Sequence, residues 1–190
     1  MDTTARDAAA ALFDGEAPDG VCATLERFGS AALRYAKRHS IKIVTLGRKE
    51  RYDARSSALK RLGVDVDAWP APPAGLFVVE ERTMYLRSRS AMTVAHEFGH
   101  ALDCALGGGV YLSSIDPTLK SLYTNARAFV TPYAATGADE YFAESVRAYV
   151  EANDGASFWP RATRERLKRI DRPMYEFVLR VFSEAFKADG

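Results

Sequence analysis

The chain is poor in cysteine and histidine, has no long apolar run and carries almost no net charge, and each shortage removes a class of function. Two cysteines in 190 residues, Cys22 and Cys104, cannot build a disulfide framework. Neither belongs to a C-x-x-C pair, so a zinc knuckle or redox dithiol is excluded and both read as small core residues. No stretch approaches the roughly 18 consecutive apolar residues that cross a bilayer. A formal net charge of +1 creates no overall field for nucleic acid or an anionic membrane, and neither is expected as a partner. Residues 1–20 lack the basic start and apolar stretch of a secretory signal and read as an alanine-rich helix interrupted by acids. The chain is therefore expected to be cytoplasmic, exported by a non-classical route, or a processed secreted form.

What is present is the composition of an ordinary globular protein, 47% hydrophobic and 27% charged, with enough length to bury one core. Helical spacing runs from Cys22 to Arg38, Ile41 to Thr45 is short and β-branched, and Ala54 to Leu62 returns to helix before Gly63. The segment Trp69-Pro70-Ala71-Pro72-Pro73-Ala74-Gly75 cannot continue a helix and reads as a stiff connector. It divides a mainly helical N-terminal part, 1–70, from a second part, 71–190, within one compact unit that is expected to be monomeric. Leu76 to Val79 and Thr83 to Leu86 flank a charged Glu80-Glu81-Arg82 and predict a hairpin. The remainder predicts helices at Ala91 to Leu106, Pro117 to Arg127, Asp139 to Ala152, Arg161 to Arg169 and Pro173 to Lys187, with an irregular stretch from Ala128 to Ala138. Ser90 is the expected N-cap of the first of these, and Gly107-Gly108-Gly109 its stop, by C-capping or as a lid hinge. The basic runs Arg48-Lys49-Glu50-Arg51 and Arg161 to Arg172 are broken by acids or apolar residues and read as solvated faces.

Two of the three histidines fall in one motif, His96-Glu97-Phe98-Gly99-His100, the pattern H-E-x-x-H. A shuffled chain of this composition would contain it about 0.002 times, which argues against coincidence. On a helix, residues four apart share a face about 6 Å apart, so both imidazoles reach one metal ion. Glu97, beside the first ligand, can reach the open coordination position, take a proton from a zinc-activated water and pass it to a leaving amine. Gly99 lets another element pack close. The competing reading is a surface histidine pair without a metal. His39 stands outside any cluster and reads as structural or exposed.

Zinc in a hydrolase takes three protein ligands and keeps a fourth position for water. The extended pattern with a third histidine is excluded, because Asp103 and Leu106 stand where glycine and histidine are required. The remaining candidates are carboxylates, Glu140 and Glu144 in Asp139-Glu140-Tyr141-Phe142-Ala143-Glu144. Their helix places Phe142, Val146, Tyr149 and Val150 on one face and Glu140, Glu144, Arg147 and Glu151 on the other, which by itself predicts a solvated acidic face. A polar face can also line a water-filled cleft.

The run His96 to Asp103, followed by Glu140-Tyr141-Phe142-Ala143-Glu144 with Tyr133 seven positions before Glu140, resembles the protease domain of anthrax lethal factor and the related Pro-Pro endopeptidases. The resemblance covers about Ala91 to Val150. It implies that Glu140 is the third zinc ligand, that Glu144 orients a ligand histidine, and that the Tyr133 hydroxyl holds the reacting oxygen; without it, Tyr133 reads as a packed aromatic. Asp103, one turn past His100, is a further candidate for orienting the ligands, an exposed helix acid being the alternative. Tyr85 and its neighbours could form an edge strand that pairs with an extended peptide.

These features together predict an α+β, zincin-like fold, mostly helical with a small sheet beside the active-site helix, and a zinc metalloendopeptidase of the gluzincin type acting on a peptide or protein. Two alternatives stand beside it: a regulatory protease acting on one intracellular protein, and a zinc-stabilised module that binds a peptide without cutting it.

Overall fold

Apolar side chains at helical spacing build the N-terminal part as expected, but glycine and serine cut its helices shorter than periodicity alone suggests. The computed structural model describes residues 3–155 and 161–186. After α1 (Thr3–Ala10), the helix expected from Cys22 to Arg38 is two, α2 (Asp19–Leu25) and α3 (Gly29–Arg38), separated by a 3-10 turn. The break falls at Gly29, whose φ of +80° is open to glycine at little cost. Strand β1 (Lys42–Thr45) follows. The next helix is also split, into α4 (Tyr52–Arg55) and α5 (Ser57–Leu62), because Ser56 leaves the helical region and its hydroxyl accepts the Leu59 amide as an N-cap. Gly63, at φ +65°, ends α5.

Beyond the proline-rich connector lies the expected hairpin, β2 (Gly75–Val78) and β3 (Thr83–Leu86), paired antiparallel from Gly75 opposite Leu86 to Val78 opposite Thr83. β1 adds parallel to β3, giving the order β1-β3-β2. Alternation along the strands puts Ile43, Phe77, Met84 and Leu86 into the main core and Val44, Val78 and Tyr85 into a smaller cluster with Tyr52, Leu59 and Val66. Tyr85 therefore corrects the expectation of a substrate-pairing edge. It lies on the central strand, is buried, and its hydroxyl donates to Glu81 at 2.8 Å. The free edge beside the long helix is β2.

That helix, α6 (Ala91–Leu106), occupies the centre of the molecule. The Ser90 hydroxyl accepts the Thr93 amide at its start, and Asp154 accepts the amide of Met92. Gly107 ends it, with Gly108 and Gly109 at positive φ, so the glycine run is a C-cap. The chain continues through α7 (Leu112–Ile115), α8 (Pro117–Asn125), α9 (Ala138–Tyr149), α10 (Arg164–Ile170) and α11 (Arg172–Arg180), the last widening into a π-helical turn at Val181–Ala185. The expected helix end at Lys187 lies outside the described residues.

α6 packs along α9, and Gly99 sets how closely: a Cβ there would lie 2.8 Å from the Ala143 Cα. One apolar cluster runs from Ala9 to Phe186, with Phe98 edge-on to Phe28 at 4.7 Å and both cysteines buried as free thiols. Among the described residues no helix is long and apolar enough to cross a membrane.

Candidate metal centre and cleft

Because α6 presents His96, Glu97 and His100 toward α9 and the edge of the sheet, the histidines meet Glu140 from the first turn of α9. His96 Nε2 and His100 Nε2 are 3.2 Å apart, and Glu140 Oε2 lies 3.1 and 3.4 Å from them. The Glu140 oxygen is buried and makes no hydrogen bond, although two nitrogens stand within reach. Three lone-pair donors turned on one another repel unless a metal ion or a shared proton lies among them. Nitrogen and oxygen donors 2.0–2.1 Å from a tetrahedral centre are about 3.3 Å apart, which is the spacing here. These three residues could hold a metal ion.

The ligand geometry is held from behind by a layer of buried polar groups. Glu144 Oε1 accepts from His96 Nδ1 at 2.9 Å, which fixes the proton on Nδ1 and leaves the Nε2 lone pair for an ion. Glu144 Oε2 accepts from the Thr131 hydroxyl at 2.5 Å, and Arg147 grips both oxygens, each at 2.8 Å. Glu144 and Arg147 are almost fully buried, so the polar side of α9 faces inward. The solvated acidic face suggested by its periodicity is a buried charge network. Burial pushes the Glu144 pKa up, but the hydrogen bonds from His96 and Arg147 outweigh it and bring the group down to about 2. In the metal-free site burial opposes charge on His96, while Glu140 and Glu144 beside it raise its pKa to about 10. Glu140 itself is held well below the usual carboxylate range: burial raises it, and the two histidines overcome that.

Glu97 is buried beside the ligands, and burial raises its pKa; the charges of His96 and His100 and the Phe77 amide pull it down. A carboxylate poised above its ordinary value is suited to taking up a proton near neutral pH. Tyr133, in a 3-10 turn at Tyr133–Ala135, is 42% exposed, and its ring centre lies 5.4 Å from that of His96. Burial of its inner part, then the charge of Glu140, keep its hydroxyl protonated well above the ordinary range. A cleft of about 270 Å³ opens beside these groups, walled by Pro73, Ala74, Gly75, Met92, Thr93 and Tyr133, with His96, Glu97, Glu144 and Arg147 at its floor.

Of the sequence-derived candidates, His96, Glu97, His100, Tyr133, Glu140 and Glu144 come together. Tyr85 does not. Asp103 is fully buried rather than exposed, and it spends its oxygens on the Ser113 amide and hydroxyl, at 2.9 and 2.5 Å, tying α6 to α7; burial raises it to about 6. His100 Nδ1 has no hydrogen-bond partner among the described residues. His39 stacks on Tyr35 at 4.2 Å, a structural role. Three contributors escaped sequence reasoning: Thr131, Arg147 and Tyr111, whose ring lies 5.6 Å from His100. The Glu144-x-x-Arg147 spacing was visible, but nothing in it distinguishes a buried pair from a surface one.

No protein-family profile and no curated protein matches the sequence. A solved structure does share the fold: that of the Pro-Pro endopeptidase PPEP-2 from Paenibacillus alvei, at TM-score 0.61 and 20% identity, covering 92% of this chain and 99% of that one. The α+β, zincin-like architecture expected from the sequence, mostly helical with a small mixed sheet beside α6, is the one observed.

Proposed function

We propose that the chain is a zinc-dependent endopeptidase in which His96, His100 and Glu140 hold the metal, Glu97 is general base and then general acid, and Tyr133 steadies the transition state. The observation that carries the reading is the meeting of two Nε2 atoms and one orphaned carboxylate oxygen within 3.4 Å, beside a buried Glu97. When bound, zinc would acidify a water molecule and polarise the substrate carbonyl. Glu97 takes the proton from that water as it attacks, and later delivers it to the amine that leaves. The Tyr133 hydroxyl, kept protonated, donates a hydrogen bond to the carbonyl oxygen as negative charge develops on it. Glu144, fixed by Thr131 and Arg147, keeps the His96 ring in its ligating orientation.

The substrate is a peptide, and the name of the structural neighbour makes proline-proline sequences the first to try. Metal analysis of the purified protein should find about one zinc per chain. His100→Ala and Glu140→Ala should each lose it while the fold survives by circular dichroism. Full metal retention in both would refute the ligand set.

A further inference from the structure

The general base sits in a slot, and one wall of that slot is the backbone of the sheet edge. Just before β2 the Ala74 carbonyl accepts from Arg87 and Ser88 on the neighbouring chain segment, at 3.0 and 2.7 Å. In an antiparallel pair the hydrogen-bonding direction alternates along the strand, so at Gly75 and Phe77 the backbone groups point away from β3, to the open edge of the sheet. Gly75 passes so close to α6 that a Cβ there would lie 2.6 Å from Glu97 Cγ, 2.9 Å from Thr93 Cγ2 and 3.2 Å from Glu97 Cδ. The first two separations are essentially never seen at a real Cβ, and among the described residues no other glycine meets the side chain of a proposed catalytic residue at such a distance. The φ of Gly75 is not in the left-handed region, so its backbone could take any side chain; the space could not.

We infer that the sheet edge at Gly75 positions the general base: the missing side chain there makes room for the Glu97 stem and so keeps its carboxylate beside the metal centre. The inference rests on the peptidase reading for its kinetic consequence, but not for its geometry. Gly75 is a positioning residue that acts through Glu97 and need not touch the substrate. A methyl group at position 75 must displace Glu97 or lift the strand, and a misplacement of about 1 Å in a reacting group lowers rates about 100-fold. Metal binding is set by His96, His100 and Glu140, none of which is among the atoms nearest the added methyl, and is left intact.

The test compares the zinc-loaded wild type with Gly75→Ala, with metal content, melting temperature, kcat and KM measured on one cleavable peptide. The expected result is unchanged zinc content and melting, with kcat down about 100-fold and KM within about threefold. Wild-type kcat in Gly75→Ala would overturn the inference. So would a rise in KM at constant kcat, because Gly75 would then serve substrate binding. A second measurement needs no activity: the melting temperature of Gly75→Val with Glu97 in place and in the Glu97→Ala background. The larger side chain should lower melting clearly where the Glu97 stem occupies the space and much less where that stem has been removed, because the two positions are in contact. An equal loss in both backgrounds would overturn the inference even if Gly75→Ala failed to fold. A wild-type protein inert toward every peptide would sink the peptidase reading alone, leaving the melting comparison to decide the positioning claim.

Discussion

Glu144 accepts from an imidazole, a hydroxyl and a guanidinium at once, and its neighbour Arg147 has no solvent to fall back on. Losing one partner of a buried ion pair is far worse than never having had the pair, because the other charge is left in a medium that cannot solvate it. Arg147→Leu should therefore lower stability by about 3–5 kcal/mol in urea unfolding. Glu144→Gln keeps the shape but weakens the hold on His96, and zinc affinity measured against a competing chelator should fall about 10- to 100-fold. The pH behaviour of the metal-free protein follows from the same group. A carboxyl whose pKa is depressed in the folded state adds stability above its unfolded value and loses it as pH falls. With Glu144 moved from 4.5 to about 2, stability on the order of 3 kcal/mol should drain away between about pH 4.5 and 2, and Glu144→Gln should flatten that slope in thermal melts. His96 has the opposite sense: its pKa, raised to about 10 without metal, means that loading at pH 7 must expel a proton. Calorimetry in buffers of different ionisation enthalpy should detect about one proton released per metal bound.

At the scale of elements, the site is the crossing of α6 and α9, two histidines from one and a carboxylate from the other. Gly99 fixes their separation, since an added Cβ would meet the Ala143 Cα at 2.8 Å and its carbonyl oxygen at 3.1 Å. Backbone cannot step aside as a flexible side chain can. Gly99→Ala should cost about 1–3 kcal/mol and weaken zinc binding by moving Glu140 away from the imidazoles. Gly20→Ala, in α2 with nothing within 4 Å of the added methyl, should be neutral or stabilise by about 0.4–1 kcal/mol in the same melts. The same scale explains what could be read in advance. The α6 helix, its Ser90 cap and its glycine stop were legible because capping and period-3.6 patterning are local. So was the hairpin. The breaks at Gly29 and Ser56 were not, because a helix face continues across them and only the tertiary bend decides between one helix and two. Tyr85 was misplaced for a related reason: periodicity finds a strand but does not say which strand lies in the middle. The polar face of α9 was ambiguous in the sequence, because a solvated face and a buried network share one pattern; the hints against a solvated face were the metal's need for a carboxylate and the family resemblance.

For the whole molecule, one apolar cluster surrounds α6 on most sides, so the site is built into a core that does not depend on the metal to exist. Chelation should lower the melting temperature without unfolding the protein at room temperature. That separates this chain from small metal-stabilised modules, which unfold when the ion is removed. The central claim concerns what the polar floor of the cleft does once loaded, and a paired assay of the wild type and Glu97→Ala tests it most directly. Both are analysed for zinc and incubated with a peptide library rich in proline-proline sequences, the cut sites being identified by mass spectrometry. The account predicts about one zinc in each protein, consistent cleavage by the wild type and loss of nearly all cleavage in Glu97→Ala. Equal cleavage by the two proteins, or none by a fully zinc-loaded wild type, would contradict it.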